Sequence, residues 1–344
     1  MKSVLGLVAL ASASVAASPS IQQQFNSANA ALDRRDFAAA LAGFEAIERQ
    51  PTLSPRTRSL VMLRAGEALY QLRRIDEAQA SLRQGLEGVP KDDPSLAAYR
   101  LSAMDVIGAI EEDRLDLASA AKAYAELVAA YDADVASAAS WRERDGARAM
   151  KRFATEQQIR ATIFVDTGKA IELADKALIA AQQERQPATT LAELHRLRGV
   201  ALMNAEQHDA ARESLLTAFG LDRASPAIGS DLALLGRLAP GSDKQPKTLT
   251  YRLDLPAKYY PSTQSAPPCG KAGMSERDFG VVQLQIADDG TPFNVKPIYS
   301  SAGTAAAILF AHAVTTWRWP TQQPTPTVPQ FYRLGSRVEL HCHR

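Results

Sequence analysis

The sequence predicts a multidomain chain: an all-α helical-repeat array followed by a small α+β domain of β-β-α-β order. Three observations predict it. Small and large residues recur at fixed offsets through the first 240 positions. Composition then breaks at Pro240-Gly241-Ser242-Asp243. Beyond the break, alternating apolar stretches surround a turn, a helical stretch and a final strand. At 344 residues and 46% apolar, the chain can bury a sizeable core and is not disordered by composition. A net charge of +1 gives no electrostatic reason to expect nucleic-acid binding.

The repeats are read from spacing. After Gly66, Ala78 follows at +12, Leu82 at +16 and Gly85 at +19, with Pro90 beyond. After Gly108 come Asp116 at +8, Ala120 at +12, Tyr124 at +16 and Leu127 at +19. After Gly199 come Ala211, Leu215 and Ala218 at the last three offsets. Ala28, Asp36, Ala40, Phe44 and Ile47 form a less complete copy. A small first residue lets two antiparallel helices approach, and the large residue at +16 fills the space between them. The turn falls near +8, where Asp36 and Asp116 suit it. This pattern resembles the tetratricopeptide repeat. Met62 and Met104 stand where that repeat usually carries tryptophan, and the copies lie 38 and 42 residues apart instead of about 34. Between Tyr131 and Leu191 the signal weakens, although Ala170, Ala174 and Ala177 keep helical spacing, leaving room for one or two degenerate repeats. The resemblance implies a groove that binds protein or peptide ligands.

Past the break, Thr248 to Leu255 alternates as a strand does. Val281 to Ile286 alternates again, Asp289-Gly290 is a hairpin turn, and Phe293 to Tyr299 is the return strand. Pro297 confines that strand to an edge or a bulge. Thr304 to Arg318 is helical, with Ala306, Phe310, Ala313 and Trp317 on one face, and Pro320 ends it. Gly335 to Cys342 is the last strand. The expected domains are therefore a signal peptide at 1–17, repeats at 21–240, a linker at 241–247 and the C-terminal domain at 248–344.

Lys2, the apolar stretch Val4 to Val15 and the small residues Ser14 to Ala17 form the three-part pattern of a secretory signal. The stretch is short of the roughly 20 residues a membrane span needs. Export directs the chain to the cell envelope, and there Cys269 and Cys342 are disulfide candidates, the alternative being two unpaired thiols.

Tyr260-Pro261, Gly280-Val281-Val282, Asp289-Gly290, Ser300-Ser301-Ala302-Gly303, Ala313-Val314 and Trp317-Arg318-Trp319-Pro320, in that order, resemble the C-terminal domain of the TonB family. The resemblance covers roughly 247–342. It implies a periplasmic location in a Gram-negative envelope and a last strand that recruits receptor or peptide segments by strand addition. Carried onto this chain, that strand is Arg337, Val338, Glu339, Leu340 and His341. Outer-membrane receptor segments are then candidate partners, with membrane association only through partners. Energy transduction with an uncleaved N-terminal anchor is the alternative. It sits poorly with a histidine-free, cleavable-looking N-terminus and with repeats where a proline-rich spacer belongs.

No residue set points to catalysis, a cofactor or a metal. H-E-x-x-H, G-x-S-x-G and Walker patterns are missing. His341-Cys342-His343 offers too few ligands for a structural metal site. Glu111-Glu112-Asp113 and Asp92-Asp93 fall at helix ends or turns, where solvation and the helix dipole account for them. The expectation is a protein-binding adaptor and not an enzyme.

Overall fold

A computed structural model describes residues 20–90, 93–239, 265–287, 289–319 and 336–342. The expected signal peptide, the linker at 241–247, the strand at 248–255 and the Tyr260-Pro261 pair lie outside the described residues. The chain divides into two compact units, 1–99 and 100–344.

In the first unit, α1 (Ile21–Asp33) pairs with α2 (Phe37–Glu48), and α3 (Pro55–Gln71) with α4 (Ile75–Glu87). Ser54 caps α3 by accepting from the Thr57 amide, and Pro55 opens the helix where no intrahelical donor is needed. The expected pairing by size is present. A Cβ on Gly66 would lie 2.5 Å from Leu82 Cγ, so glycine here is what admits the buried leucine. Phe25 packs edge-on against Phe44 at 5.8 Å and Tyr99 at 6.4 Å.

Further helical hairpins follow along the chain. They are α5 (Ala97–Asp113) with α6 (Leu117–Ser137), α7 (Trp141–Ile163) with α8 (Thr167–Gln183), and α9 (Ala188–Asn204) with α10 (His208–Leu221). Helix α11 (Pro226–Leu238) closes the array, and residues from Arg100 onward belong to the second unit. Gly108 faces Tyr124, and Gly199 faces Leu215, as Gly66 faces Leu82. The weak middle stretch holds one hairpin, α7 and α8. Its +8, +12 and +16 positions, counted from Gln158, are Asp166, Ala170 and Ala174. Asp166 caps α8, and both alanines are fully buried.

The turns that enter α2, α6 and α10 share a backbone device that the sequence does not announce. Arg35, Leu115 and Glu206 adopt φ of 62°, 59° and 60°, each one residue before the cap of the second helix. The following amide reaches back five residues: Asp36 to the Ala31 carbonyl, Asp116 to Glu111 and Gln207 to Leu202, at 2.9–3.0 Å. This closure satisfies orphan carbonyls at the first helix's end.

The C-terminal part follows β-β-α-β order: β1 (Phe279–Ile286), β2 (Pro292–Ser300), α12 (Thr304–Thr315) and β3 (Ser336–His341). Among the described residues the strands build a three-stranded antiparallel sheet of order β2-β1-β3. Gly290, with φ of 80°, makes the hairpin turn and lets the Trp319 amide reach its carbonyl at 2.9 Å. Among the described residues Pro297 meets both halves of its expectation: β2 lies at the sheet edge, and the register slips beside Pro297. One sheet face packs on α12 through Val282, Leu284, Val338, Leu340 and Phe310. Trp317 is buried there and donates to the Ser265 carbonyl at 2.6 Å. Helix α12 stops at Thr315, three residues short of expectation. The Thr315 and Thr316 hydroxyls bond back to the carbonyls of His312 and Ala313, competing with further helical bonds.

The other sheet face packs on the repeats of the same unit. Val281, Ile298 and Tyr299 share a core with Leu202, Leu215, Leu232 and Leu235. Ala307 of α12 joins Leu117, Ile163, Phe164 and Val200. Asn204 donates to the Ile298 carbonyl at 2.9 Å, and Arg237 on α11 forks onto Glu339 of β3 at 2.6 and 3.1 Å.

Candidate functional site

Where the β1-β2 hairpin meets the helices, the docking leaves a cleft of about 520 Å3. Its floor is apolar: Leu117, Ile163, Phe164, Leu197 and Val200. Pro226 and Ala227 at the start of α11 close one side. Gln283 and Gln285 of β1 and Asn294 to Ile298 of β2 form the opposite wall.

Each charged side chain in the cleft is held by another. Arg160 of α7 donates to Glu193 of α9 at 2.6 Å, and Arg196 grips the same carboxylate through two bonds of 2.7 Å. Arg196 also donates to Asp231 of α11 at 3.0 Å, so one ionic ladder ties three helices. Asp231 is fully buried and Arg196 nearly so. Burial opposes the charge on Glu193, but the two guanidiniums outweigh it and hold its carboxyl down at about 2. Burial pushes the neighbouring Glu156 upward.

At the other end, Glu112 binds Lys296 of β2 at 3.0 Å. Asp105, two turns back along α5, is pushed up to about 6 by burial and by the nearby Glu112 charge. These acids correct one sequence expectation. Glu111-Glu112-Asp113 ends α5 at its C-terminus, where the helix dipole disfavours anions. Lys296 on Glu112 and the Arg114–Glu111 pair at 4.0 Å supply the compensation instead.

The hairpin wall is shaped by a bulge. Between Gln283 and Gln285 the register slips, and Asn294 takes a φ of 49°. The Asn294 side-chain amide donates to the Gln285 side-chain oxygen at 2.8 Å. Bulges commonly re-aim side chains beside sites, and asparagine tolerates this backbone region better than most residues.

The strand proposed from sequence sits away from the cleft. In register, Arg337 pairs with Gln283, Val338 with Val282, Glu339 with Val281, Leu340 with Gly280 and His341 with Phe279. Val338 and Leu340 point into the α12 core, Glu339 is taken by Arg237, and His341 is exposed at 55% with its ring against Phe279. Among the described residues β3 pairs only with β1, which leaves its other edge without a strand. Cys269 and Cys342 form a disulfide with Cα atoms 5.1 Å apart, tying the end of β3 to the segment before β1. His343 lies outside the described residues.

Nothing in the sequence singles out the cleft residues Arg160, Glu193, Arg196 and Asp231. The visible signal is an alternation of opposite charges at helical spacing, Glu193 with Arg196, which is usually a solvated face.

The residues thus define a helical-hairpin repeat protein of tetratricopeptide-like type carrying a small antiparallel sheet. Over 58% of its length the chain is similar to a kinesin light chain protein with nearly identical TPR-like repeats from Podosopora anserina, at 14% identity, a TM-score of 0.46 and 94% coverage of that chain. A single-substitution form of the same protein gives the same identity and TM-score and is covered over 93%. No family model and no curated protein matches the sequence.

Proposed function

We propose that the chain is a periplasmic adaptor that binds other proteins, using its repeats on one side and a TonB-like C-terminal domain on the other. The observation that carries this is the outer edge of β3, which offers a row of backbone donors and acceptors beside no described strand. An extended receptor or peptide segment can complete the sheet there by strand addition. The β-β-α-β order and the Gly280, Asp289-Gly290 and Trp317 to Trp319 positions support the TonB-like reading. Oxidising conditions in the periplasm suit the Cys269–Cys342 disulfide. A binding role, as opposed to a catalytic one, fits the cleft chemistry. Its acids and bases are consumed in mutual ion pairs.

The test is site-specific photo-crosslinking in envelopes, with the photoreactive residue at His341, which is exposed. Discrete adducts with envelope proteins are expected, and they should vanish when a proline replaces Val338. Failure to form any adduct at His341 would overturn the strand-addition reading.

A further inference from the structure

We propose that the cleft between the helices and the β1-β2 hairpin holds a short extended peptide segment of a partner protein, uncharged and aliphatic, whose backbone is read by Gln283 and Gln285. The inference rests on the protein-binding reading above but concerns a different surface from β3.

Four observations carry it. The cleft volume of about 520 Å3 lies within the range of sites that enclose a ligand. Its floor is apolar, which suits aliphatic side chains. Its charges are already satisfied: Arg160 and Arg196 by Glu193, and Lys296 by Glu112. A charged ligand group would have to break one of these pairs without a replacement, so the preferred occupant is neutral.

The fourth observation selects a peptide over a plain hydrocarbon. Gln283 and Gln285 stand two positions apart on β1 and both line the cleft. That places their Cα atoms roughly 7 Å apart, the repeat at which an extended chain presents peptide groups to one side. The Gln283 side chain makes no hydrogen bond among the described residues, so its donors and its acceptor face the cleft unspent. Gln285 is oriented by Asn294, which occupies only its oxygen and leaves the amide protons to donate. A carboxamide supplies one acceptor and two donors, matching the C=O and N–H of a peptide group. The strained Asn294 backbone is the local cost of that orientation.

The experiment uses the full-length chain and fluorescence anisotropy. The probe is the end-blocked pentapeptide Val-Thr-Val-Thr-Val, fluorophore-labelled at its N-terminus and amidated at its C-terminus. Saturable binding is expected. Aspartate at the central position should weaken it at least tenfold, and decanoyl amide, apolar but without a peptide repeat, should displace it poorly. Gln283→Leu keeps the volume but removes two hydrogen bonds, an effect of roughly tenfold in Kd. Ala227→Trp fills the cleft from α11 and should abolish binding. Should that variant not fold, Gln283→Leu carries the test alone. Lack of saturable binding by the pentapeptide overturns the inference. So does an unchanged affinity in Gln283→Leu, or decanoyl amide competing as well as unlabelled peptide. Crosslinks at His341 that persist while the pentapeptide fails would remove this inference and leave the adaptor reading standing.

Discussion

Asp231→Asn is the sharpest probe of how the second unit is held together. The carboxylate is fully buried on α11, and its partner Arg196 on α9 is nearly so. The two are joined at 3.0 Å. Asparagine keeps the volume and removes the charge, leaving a buried guanidinium short of one counter-ion. Removing one partner of a buried pair costs about 3–5 kcal/mol. Glu193 still grips Arg196 through two bonds of 2.7 Å, so the low end, about 3 kcal/mol, is expected. With a urea slope of roughly 1–3 kcal/mol/M, the midpoint should fall by about 1–3 M. Arg196→Met should cost a similar amount. The double variant should cost clearly less than the two summed, by ~2 kcal/mol, because the orphaned charge is gone. The same ladder predicts a pH dependence. Glu193 is held at about 2, below its unfolded 4.5. Its contribution is therefore complete above about pH 4.5 and disappears as pH falls toward 2. Urea melts of the four proteins at about pH 7 and about pH 3 test both parts. Additive single-variant costs, or a loss below about 1 kcal/mol in Asp231→Asn, would refute the claim that the ladder acts as a unit.

Three further outcomes follow from the geometry. A Cβ at Gly108 would sit 2.6 Å from the ring of buried Tyr124, so Gly108→Ala should destabilise by roughly 1–3 kcal/mol, whereas Gly146→Ala, with nothing within 4 Å, should stabilise α7 by about 0.5–1 kcal/mol; thermal melts compare them. Asp105, raised to about 6 by burial and then by Glu112, favours the protonated form in the fold. Its penalty is full above about pH 6 and fades as pH falls through its unfolded value near 3.8. Asp105→Asn should therefore raise the melting temperature at about pH 7.5 and leave it unchanged at about pH 3.5. Reduction of Cys269–Cys342 releases a cross-link spanning 73 residues, worth up to ~4 kcal/mol by chain-entropy reasoning. Reductant should lower the melting temperature of the sheet, and without reductant neither thiol should take up alkylating agent.

The hairpins were legible because size complementarity leaves a trace in one sequence. Gly66 with Leu82, Gly108 with Tyr124 and Gly199 with Leu215 each sit 16 positions apart, and each pair is in contact. The α7-α8 hairpin hid for a physical reason. Its first position is Gln158 and its +16 position is Ala174, so the small member sits on the second helix. The long α6 and α7 also stretch the interval from Gly108 to Gln158 to 50 residues. Searching for a glycine followed by a large residue misses an inverted pair. The left-handed turns were hidden differently, since Arg35, Leu115 and Glu206 occupy positions where glycine would have advertised the turn. Leu115 has a reason to stay: its side chain is buried with the α12 core.

The cleft was illegible because it belongs to neither part of the sequence alone. Gln283 and Gln285 read as the polar face of a half-exposed strand, and Arg160 and Glu193 as ordinary charged helix positions. Only docking of the hairpin turns these into facing walls. That docking has local causes spread across the chain: the Asn204 amide on the Ile298 carbonyl, Lys296 on Glu112, and Arg237 clamped on Glu339 with its guanidinium 5.5 Å from the Phe279 ring. The Arg237 clamp also links the two proposed binding surfaces. It fixes the strand whose outer edge is proposed to take a partner, through a helix whose Asp231 anchors the ladder under the cleft. A partner that reorients β3 would pull on α11, and α11 carries Ala227 at the cleft wall. Coupling between the surfaces therefore needs no long-range wire, only one helix of 13 residues shared by both.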